Sequence, residues 1–347
     1  MQDDNSWSCA GFDPGSYADA HPDTSAGPLL HFLSYGARER RQFPIELNPT
    51  AFDASDPIEV IAALSDCYFN GFGDQLDLAL PAIWAKVDKL IELGAKPIIV
   101  IGDSHTGLYR RTPLCYDGWV LPLVCLFSAG SARGLSNPNG RTQYRQRIEG
   151  LLGWLATLPK TVAPPVIFKF GQVDVEFVSV FKRIERREKH FDEEAFADFS
   201  RETVDRYLAF LMSVAPASSY VATIFPPTLS DASWRDGYAN AHVVDIENPG
   251  TLDSVRQSVR GLTVPNLSER TSHHALFNQL LACGVEQTTL SFWNDFNAAL
   301  GTDGTVDPQW VGSAGGNDHH LDFFATRPLF ENLLTSMQRQ LANRREA

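Results

Sequence analysis

The chain is short of cysteine, with five in 347 residues. Cys9, Cys67, Cys115, Cys125 and Cys283 are scattered and form no C-x-x-C pair, which argues against a disulfide framework and a cysteine zinc site and leaves reduced packing thiols. Positive charge is also scarce: 29 Lys and Arg stand against 42 Asp and Glu, a formal charge of −13. Nucleic acid and anionic membrane surfaces would repel such a chain at long range, so neither is expected as a partner. No stretch reaches the roughly 18 apolar residues of a membrane span. The start, Met1-Gln2-Asp3-Asp4-Asn5, lacks the basic and apolar regions of a secretory leader, so a cytoplasmic location is expected. There is no glycine-rich phosphate loop, internal repeat or low-complexity tract. Neither His273-His274 nor His319-His320 has the H-E-x-x-H spacing of a helical zinc site, and no metal is expected.

What is present suits an ordinary globular protein, 44% apolar and 20% charged. The length favours one large domain with a small appendage. We place the boundary near residue 50, with a small helical module before it and residues 51–347 forming an α/β domain. Beyond that point helix and strand patterns alternate, which predicts a parallel sheet with helices on both faces. Strands are expected over 98–101, 119–127, 166–170, 220–225 and 290–293. Helical stripes fall at Ile83 to Ile91, Tyr144 to Leu155, Phe196 to Leu211 and Phe277 to Leu281. The charge-dense segment from Lys182 to Glu194 reads as a solvated helix face.

The stretch that organises the chain is Ile98-Ile99-Val100-Ile101-Gly102-Asp103-Ser104-His105-Thr106. An apolar β-branched run breaks at a glycine and then presents an acid, a hydroxyl and an imidazole. Residues just past a strand's carboxyl end line the ligand crevice of open α/β sheets, which makes Ser104 a candidate nucleophile. Capping of a following helix by Asp103 or Ser104 is the structural alternative.

Separated stretches then combine. Gly102-Asp103-Ser104-His105 follows the first sheet strand, Gly130-Ser131-Ala132-Arg133-Gly134 the second, Gly171-Gln172-Val173-Asp174 the third, and Asn317-Asp318-His319-His320 comes near the end. This order resembles the SGNH (GDSL-like) hydrolase superfamily, whose blocks place a serine, a glycine, a G-x-N-D and a D-x-x-H in that order. The resemblance covers about residues 95–335. It implies a flavodoxin-like three-layer α/β/α fold with a parallel five-stranded sheet, carrying the small helical amino-terminal appendage. It also implies Ser104 as nucleophile, His320 as base oriented by Asp318, and an oxyanion hole from the backbone N–H groups of Ser104 and of Gly130 or its neighbour. Such a base implies turnover that rises with pH through a pKa of roughly 6–7.

Two positions depart from that pattern. Val173 stands where the superfamily has its oxyanion asparagine, so Gln172 and Asn137 become candidate replacements. Asn317, not an aspartate, stands three before His320, and the nearest carboxylate is Asp318. His319 as base, or a carbonyl as orienter, are the alternatives. His105, Asn137, Asp174 and His319 are candidate substrate-binding residues. Tyr109, Tyr116, Trp119 and Trp310 are aromatics that could stack on a sugar ring or sit in the core.

The run from Gly130 to Thr142 and the F-G-Q-V-D after the third strand are similar to a bacterial SGNH-like branch associated with capsule and surface-polysaccharide loci. Phe12-Asp13-Pro14, Tyr17, Pro22-Asp23, Leu30 to Leu33 and Gly36 to Arg41 resemble a small module found beside glycan-assembly enzymes, although Arg40 replaces that module's second glycine. The implied function is an O-acyl, chiefly acetyl, ester hydrolase acting on an acylated saccharide or surface polysaccharide without a cofactor. The alternatives are a sugar O-acyltransferase using a CoA thioester donor, and a glycan-assembly protein without activity. No oligomeric state is implied.

Overall fold

The computed structural model describes residues 96–109, 120–158, 164–216, 219–235, 238, 257–312 and 318–322, with short pieces within 18–22, 84–91 and 325–336. Apart from residues 18, 19, 21 and 22, the amino-terminal module lies outside the described residues, as does the boundary near residue 50. So do Tyr116, Trp119 and Asn317.

Five strands form one sheet: β1 (Lys96–Gly102), β2 (Val120–Leu126), β3 (Val166–Lys169), β4 (Tyr220–Ala222) and β5 (Ser291–Trp293). All pairings are parallel and the spatial order is β2-β1-β3-β4-β5, as in flavodoxin-like folds. Because strand side chains alternate, each strand feeds two cores. Ile99, Ile101, Leu123, Cys125, Phe168 and Val221 pack on one face against α2 (Tyr144–Leu155), α4 (Glu193–Val214) and α5 (Leu267–Val285). Ile98, Val100, Val124, Ile167, Tyr220 and Trp293 pack on the other against Leu108, Tyr109, Leu329 and Phe330. The result is a three-layer α/β/α architecture, as the alternating sequence pattern predicts. Pro122 is tolerated within β2 because that strand lies at the sheet edge.

Side-chain caps start the long helices. The Asp192 carboxylate accepts Ala195 N–H at 3.0 Å before α4, and Asn266 and Glu269 exchange side-chain-to-backbone bonds before α5. No helix among the described residues is long and apolar enough to cross a membrane.

Two expectations need correction, and one element has no counterpart among them. β4 ends at Ala222 rather than 225 because side chains take over its backbone: Asn278 bonds both N–H and C=O of Ile224, and Gln172 does the same for Phe225. After β3 the chain forms a π-helical turn, Asp174–Val178, continuous with α3 (Ser179–Glu185), which no periodicity announces. The segment from 182 to 194 is not one solvated face. Helix α3 ends within it, α4 begins within it, and Arg183 turns inward to donate to the carbonyls of Lys189 and Thr263.

In this strand order the crossovers reverse direction between β1 and β3, which opens a crevice at their carboxyl ends. Asp103 N–H donates to Lys169 O there at 3.2 Å, and Gly102 lies so close that a Cβ on it would sit 2.2 Å from Lys169 O and 2.1 Å from Thr106 Cγ2. Backbone cannot yield as a flexible side chain can. We expect Gly102→Ala to cost about 1–3 kcal/mol in denaturant unfolding, as overpacking does. An unchanged midpoint would contradict this contact.

Candidate active site

Gly102 ends β1 and a short 3₁₀ helix, Ser104–Tyr109, begins at once, which lifts the Ser104 side chain to the crevice with partial exposure. Its Oγ lies 2.8 Å from His320 Nε2. His320 Nδ1 in turn lies 2.7 Å from Asp318 Oδ1. A hydroxyl, an imidazole and a carboxylate are thus in one hydrogen-bonded line across 216 residues of sequence. With Nδ1–H donated to Asp318, Nε2 is left to take the serine proton, the arrangement a serine needs to attack a carbonyl.

The D-x-H spacing explains how a carboxylate two residues before the histidine can serve. Asp318 Oδ1 accepts the backbone N–H of His320 at 3.0 Å, an Asx turn that brings the imidazole Nδ1 to the same oxygen. Asp103 and His105 repeat the device: Asp103 Oδ1 accepts His105 N–H at 3.0 Å and lies 3.0 Å from His105 Nδ1. The Asp103–His105 pair is buried and the Asp318–His320 pair faces solvent, with the Asp318 side chain 67% exposed. His105 Nε2 lies 3.2 Å from His319 O, and Thr228 Oγ1–H donates to Asp318 O at 2.9 Å, so two bonds from beneath fix the loop that carries Asp318 and His320.

The remaining sequence candidates fall in varied places. His105 is buried beneath the line, its ring 4.5 Å from that of His320. His319 packs tilted beside His320 and edge-to-face against Phe177, with no bond to Ser104 Oγ. Asp174 does not face the crevice. It is buried and accepts Ala132 N–H at 2.5 Å and Arg133 N–H at 3.2 Å, which caps α1 (Ala132–Leu135) and ties β3 to the turn after β2. Asn137 sits in the exposed turn after α1, its Oδ1 accepting Asn139 N–H. Tyr109 is a core residue bonded to Asp295, and Trp310 packs partly buried against the second core.

The oxyanion candidates also need correction. The Gln172 amide donates to Glu176 Oε1 and Phe225 O and accepts from Phe225 N–H, so it is a fully engaged strut between β3 and β4. Gly130 N–H is spent on Phe127 O at 2.9 Å. That leaves the N–H groups of Ser104 and Ser131, neither of which has an acceptor among the described residues. Val173 is buried in an apolar cluster with Phe177, Leu229 and Trp234.

Charge is managed by burial and pairing. Burial pushes the Asp318 carboxyl up, but its bonds to His320 and the imidazole's charge outweigh this and hold it well below the ordinary range. Burial first, then the neighbouring His320 charge, lowers His105 and His319, which favours the neutral form of both. Burial raises Asp174 to about 7 and Glu176 to about 8, and lowers His274 to about 3. An acid whose folded pKa is raised binds more protons folded than unfolded, so its stabilising effect is lost as pH rises toward the folded value. His274 acts in the opposite sense below pH 6.5. We therefore expect stability to fall between about pH 6.5 and 8, and thermal melts of Glu176→Gln to flatten that decline. Parallel wild-type and variant slopes would count against it.

His105, His319 and His320 each offer a ring nitrogen, all within 4.8 Å of one another, the arrangement among the described residues that could hold a metal. Both nitrogens of His105 and of His320 already face other partners, so an ion would have to displace Asp103 or the His319 carbonyl from one ring and Ser104 or Asp318 from the other. Sequence reasoning missed Thr228, Glu176 and Arg270 as neighbours of the site. Nothing local signals them, since each reaches it through the tertiary packing of a different element.

No protein-family model matches the chain, and no curated protein does. Among solved structures it is similar to a carbohydrate acetylesterase from Sinorhizobium meliloti at 13% identity, over 71% of this chain and 99% of that one, with a TM-score of 0.38. It is also similar to the inhibitor-bound aryl esterase of M. smegmatis at 14% identity, over 70% and 99%, TM-score 0.38. A GDSL-like lipase from Bacteroides thetaiotaomicron is similar at 11% identity, over 76% and 100%, TM-score 0.35. At this identity and score these likenesses assign no activity to the chain.

Proposed function

We propose that the protein is an SGNH-type serine esterase that removes an O-acyl group, chiefly acetyl, from a saccharide. The observation that carries the reading is the line from Ser104 Oγ to His320 Nε2 at 2.8 Å and from His320 Nδ1 to Asp318 at 2.7 Å. Ser104 Oγ attacks the ester carbonyl carbon while His320 Nε2 takes its proton. The carbonyl oxygen becomes an oxyanion facing the N–H groups of Ser104 and Ser131. The intermediate collapses, the C–O bond to the sugar breaks, and His320 returns the proton to the departing sugar oxygen. A water, deprotonated by His320, then attacks the acyl-serine; the bond to Ser104 Oγ breaks, His320 returns the proton to that oxygen, and the carboxylic acid is released. These steps call for no cofactor. The saccharide as partner rests on the similarity of the 130–142 and 170–174 stretches to the polysaccharide-associated branch.

The test is incubation with a serine-directed fluorophosphonate, then intact mass and site mapping. One adduct on Ser104 is expected, and absence of labelling would return the chain to a non-catalytic role. With acetyl-CoA and a panel of sugars, sugar-dependent thiol release with stoichiometric sugar acylation would make it the acyltransferase instead.

A further inference from the structure

We propose that His105 is a positioning residue for the base: its Nε2–H holds the peptide unit from which His320 hangs, and so sets the approach of His320 to Ser104. The role rests on the serine–histidine reading above and adds a residue to it.

The two D-x-H turns interlock. In Asp103-Ser104-His105 and again in Asp318-His319-His320, the aspartate Oδ1 accepts the backbone N–H of the histidine two residues on and faces its Nδ1. Each histidine then reaches with Nε2 to the middle residue of the other turn: His320 to Ser104 Oγ at 2.8 Å, and His105 to His319 O at 3.2 Å. The His319 carbonyl and the His320 N–H belong to one peptide unit, and Asp318 Oδ1 takes that N–H at 3.0 Å. The unit is planar, so a partner at each end fixes its orientation, and the imidazole of His320 springs from the next Cα. Thr228 holds only the preceding unit, through Asp318 O.

Burial makes this donor hard to replace. His105 is 1% exposed, and its ring lies 4.5 Å from that of His320. With the donor gone, the carbonyl turns to find another and the His320 ring turns with it. The protons also have to balance. Nδ1 faces a carboxyl oxygen and Nε2 a carbonyl oxygen, and an imidazole with one proton serves only one acceptor. Both contacts are met when Asp103 and His105 hold two protons between them, one on Nε2 and one along the Nδ1 contact. A pair so protonated brings no net charge into the core.

The experiment compares three variants of the full chain. His105→Phe keeps the bulk of the ring without a donor, His105→Asn offers an amide level with Nδ1 that falls short of His319, and His105→Gln places an N–H where Nε2 stands. The Phe and Asn variants are expected to lower kcat for a small acyl ester by about 10–100-fold, as a misplaced reacting group does, with KM within about threefold of wild type. The Gln variant should stay within about fivefold in both. Backbone hydrogen exchange over residues 318–322 should rise at least tenfold in the Phe and Asn variants and not in Gln. Exchange needs no turnover, so it judges the clamp even where Ser104 takes no label. A kcat close to wild type in the Phe variant, a loss carried by KM, a Gln variant as slow as Phe, or unchanged exchange in Phe would each overturn the proposal. If the Phe and Asn variants do not fold, the wild type decides: long-range proton–nitrogen spectra of histidine-labelled protein at pH 7 should show Nε2 of His105 protonated, and a bare Nε2 there would overturn it.

Discussion

Ser104→Ala will lose turnover of a small acyl ester by on the order of 10⁴-fold or more, with a thermal midpoint close to wild type. The size follows from removal of the nucleophile, after which only the backbone donors and binding remain to assist water. The unchanged midpoint follows from the position: Ser104 is partly exposed and its Oγ contributes one hydrogen bond, to His320. His320→Ala should fall to a similar level, and the double variant should be no worse, because the two act as one unit. His319→Ala should retain most activity, since its ring has no bond to Ser104 Oγ. Esterase assays with purified variants at matched concentration decide it. Activity of Ser104→Ala within tenfold of wild type, or a reversed order of the two histidines, would refute the assignment.

That ordering was only half legible in the sequence. The strand that ends at Gly102 could be read because five consecutive apolar residues, Pro97 to Ile101, are covered on both faces of a parallel sheet. Ser104 followed from its place after that strand. His320 and Asp318 could be named but not arranged, because their relation depends on an Asx turn whose geometry a D-x-H spacing permits without requiring. The oxyanion candidates failed for a different reason. Gln172 is the right chemical type at nearly the right position, yet the early end of β4 leaves Phe225 without a strand partner, and the amide is consumed in replacing it. Asp174 likewise reads as a substrate contact from sequence, whereas a four-residue helix after β2 uses its carboxylate as a cap. In each case a polar side chain near the site pairs with backbone that irregular structure leaves unpaired, a demand that periodicity does not encode.

The same demand sets the largest expected stability effect, that of Asp295→Ala. Lys169, the last residue of β3, is buried with its ammonium 2.8 Å from Asp295 Oδ2 and 3.0 Å from Oδ1, bonded also to Thr223 O and 3.4 Å from the centre of the Phe225 ring. Asp295 further accepts Tyr109 O–H at 2.5 Å and Thr223 Oγ1–H at 2.6 Å, so one carboxylate joins β3, β4, the residues after β5 and the helix that carries Ser104. Burial lowers the Lys169 pKa and the Asp295 charge opposes this. Truncating Asp295 removes the opposition and strands a cation in the core, which costs about 3–5 kcal/mol. That is a large share of the ~5–15 kcal/mol that stabilises a typical domain. Lys169→Met with Asp295→Leu should recover much of the loss, because removing both charges removes the desolvation that the pair had to overcome. Denaturant unfolding of the three chains gives the comparison. A single variant within about 1 kcal/mol of wild type, the error of such extrapolations, or a double variant as unstable as the single one, would mean that the ion pair does not hold this end of the sheet.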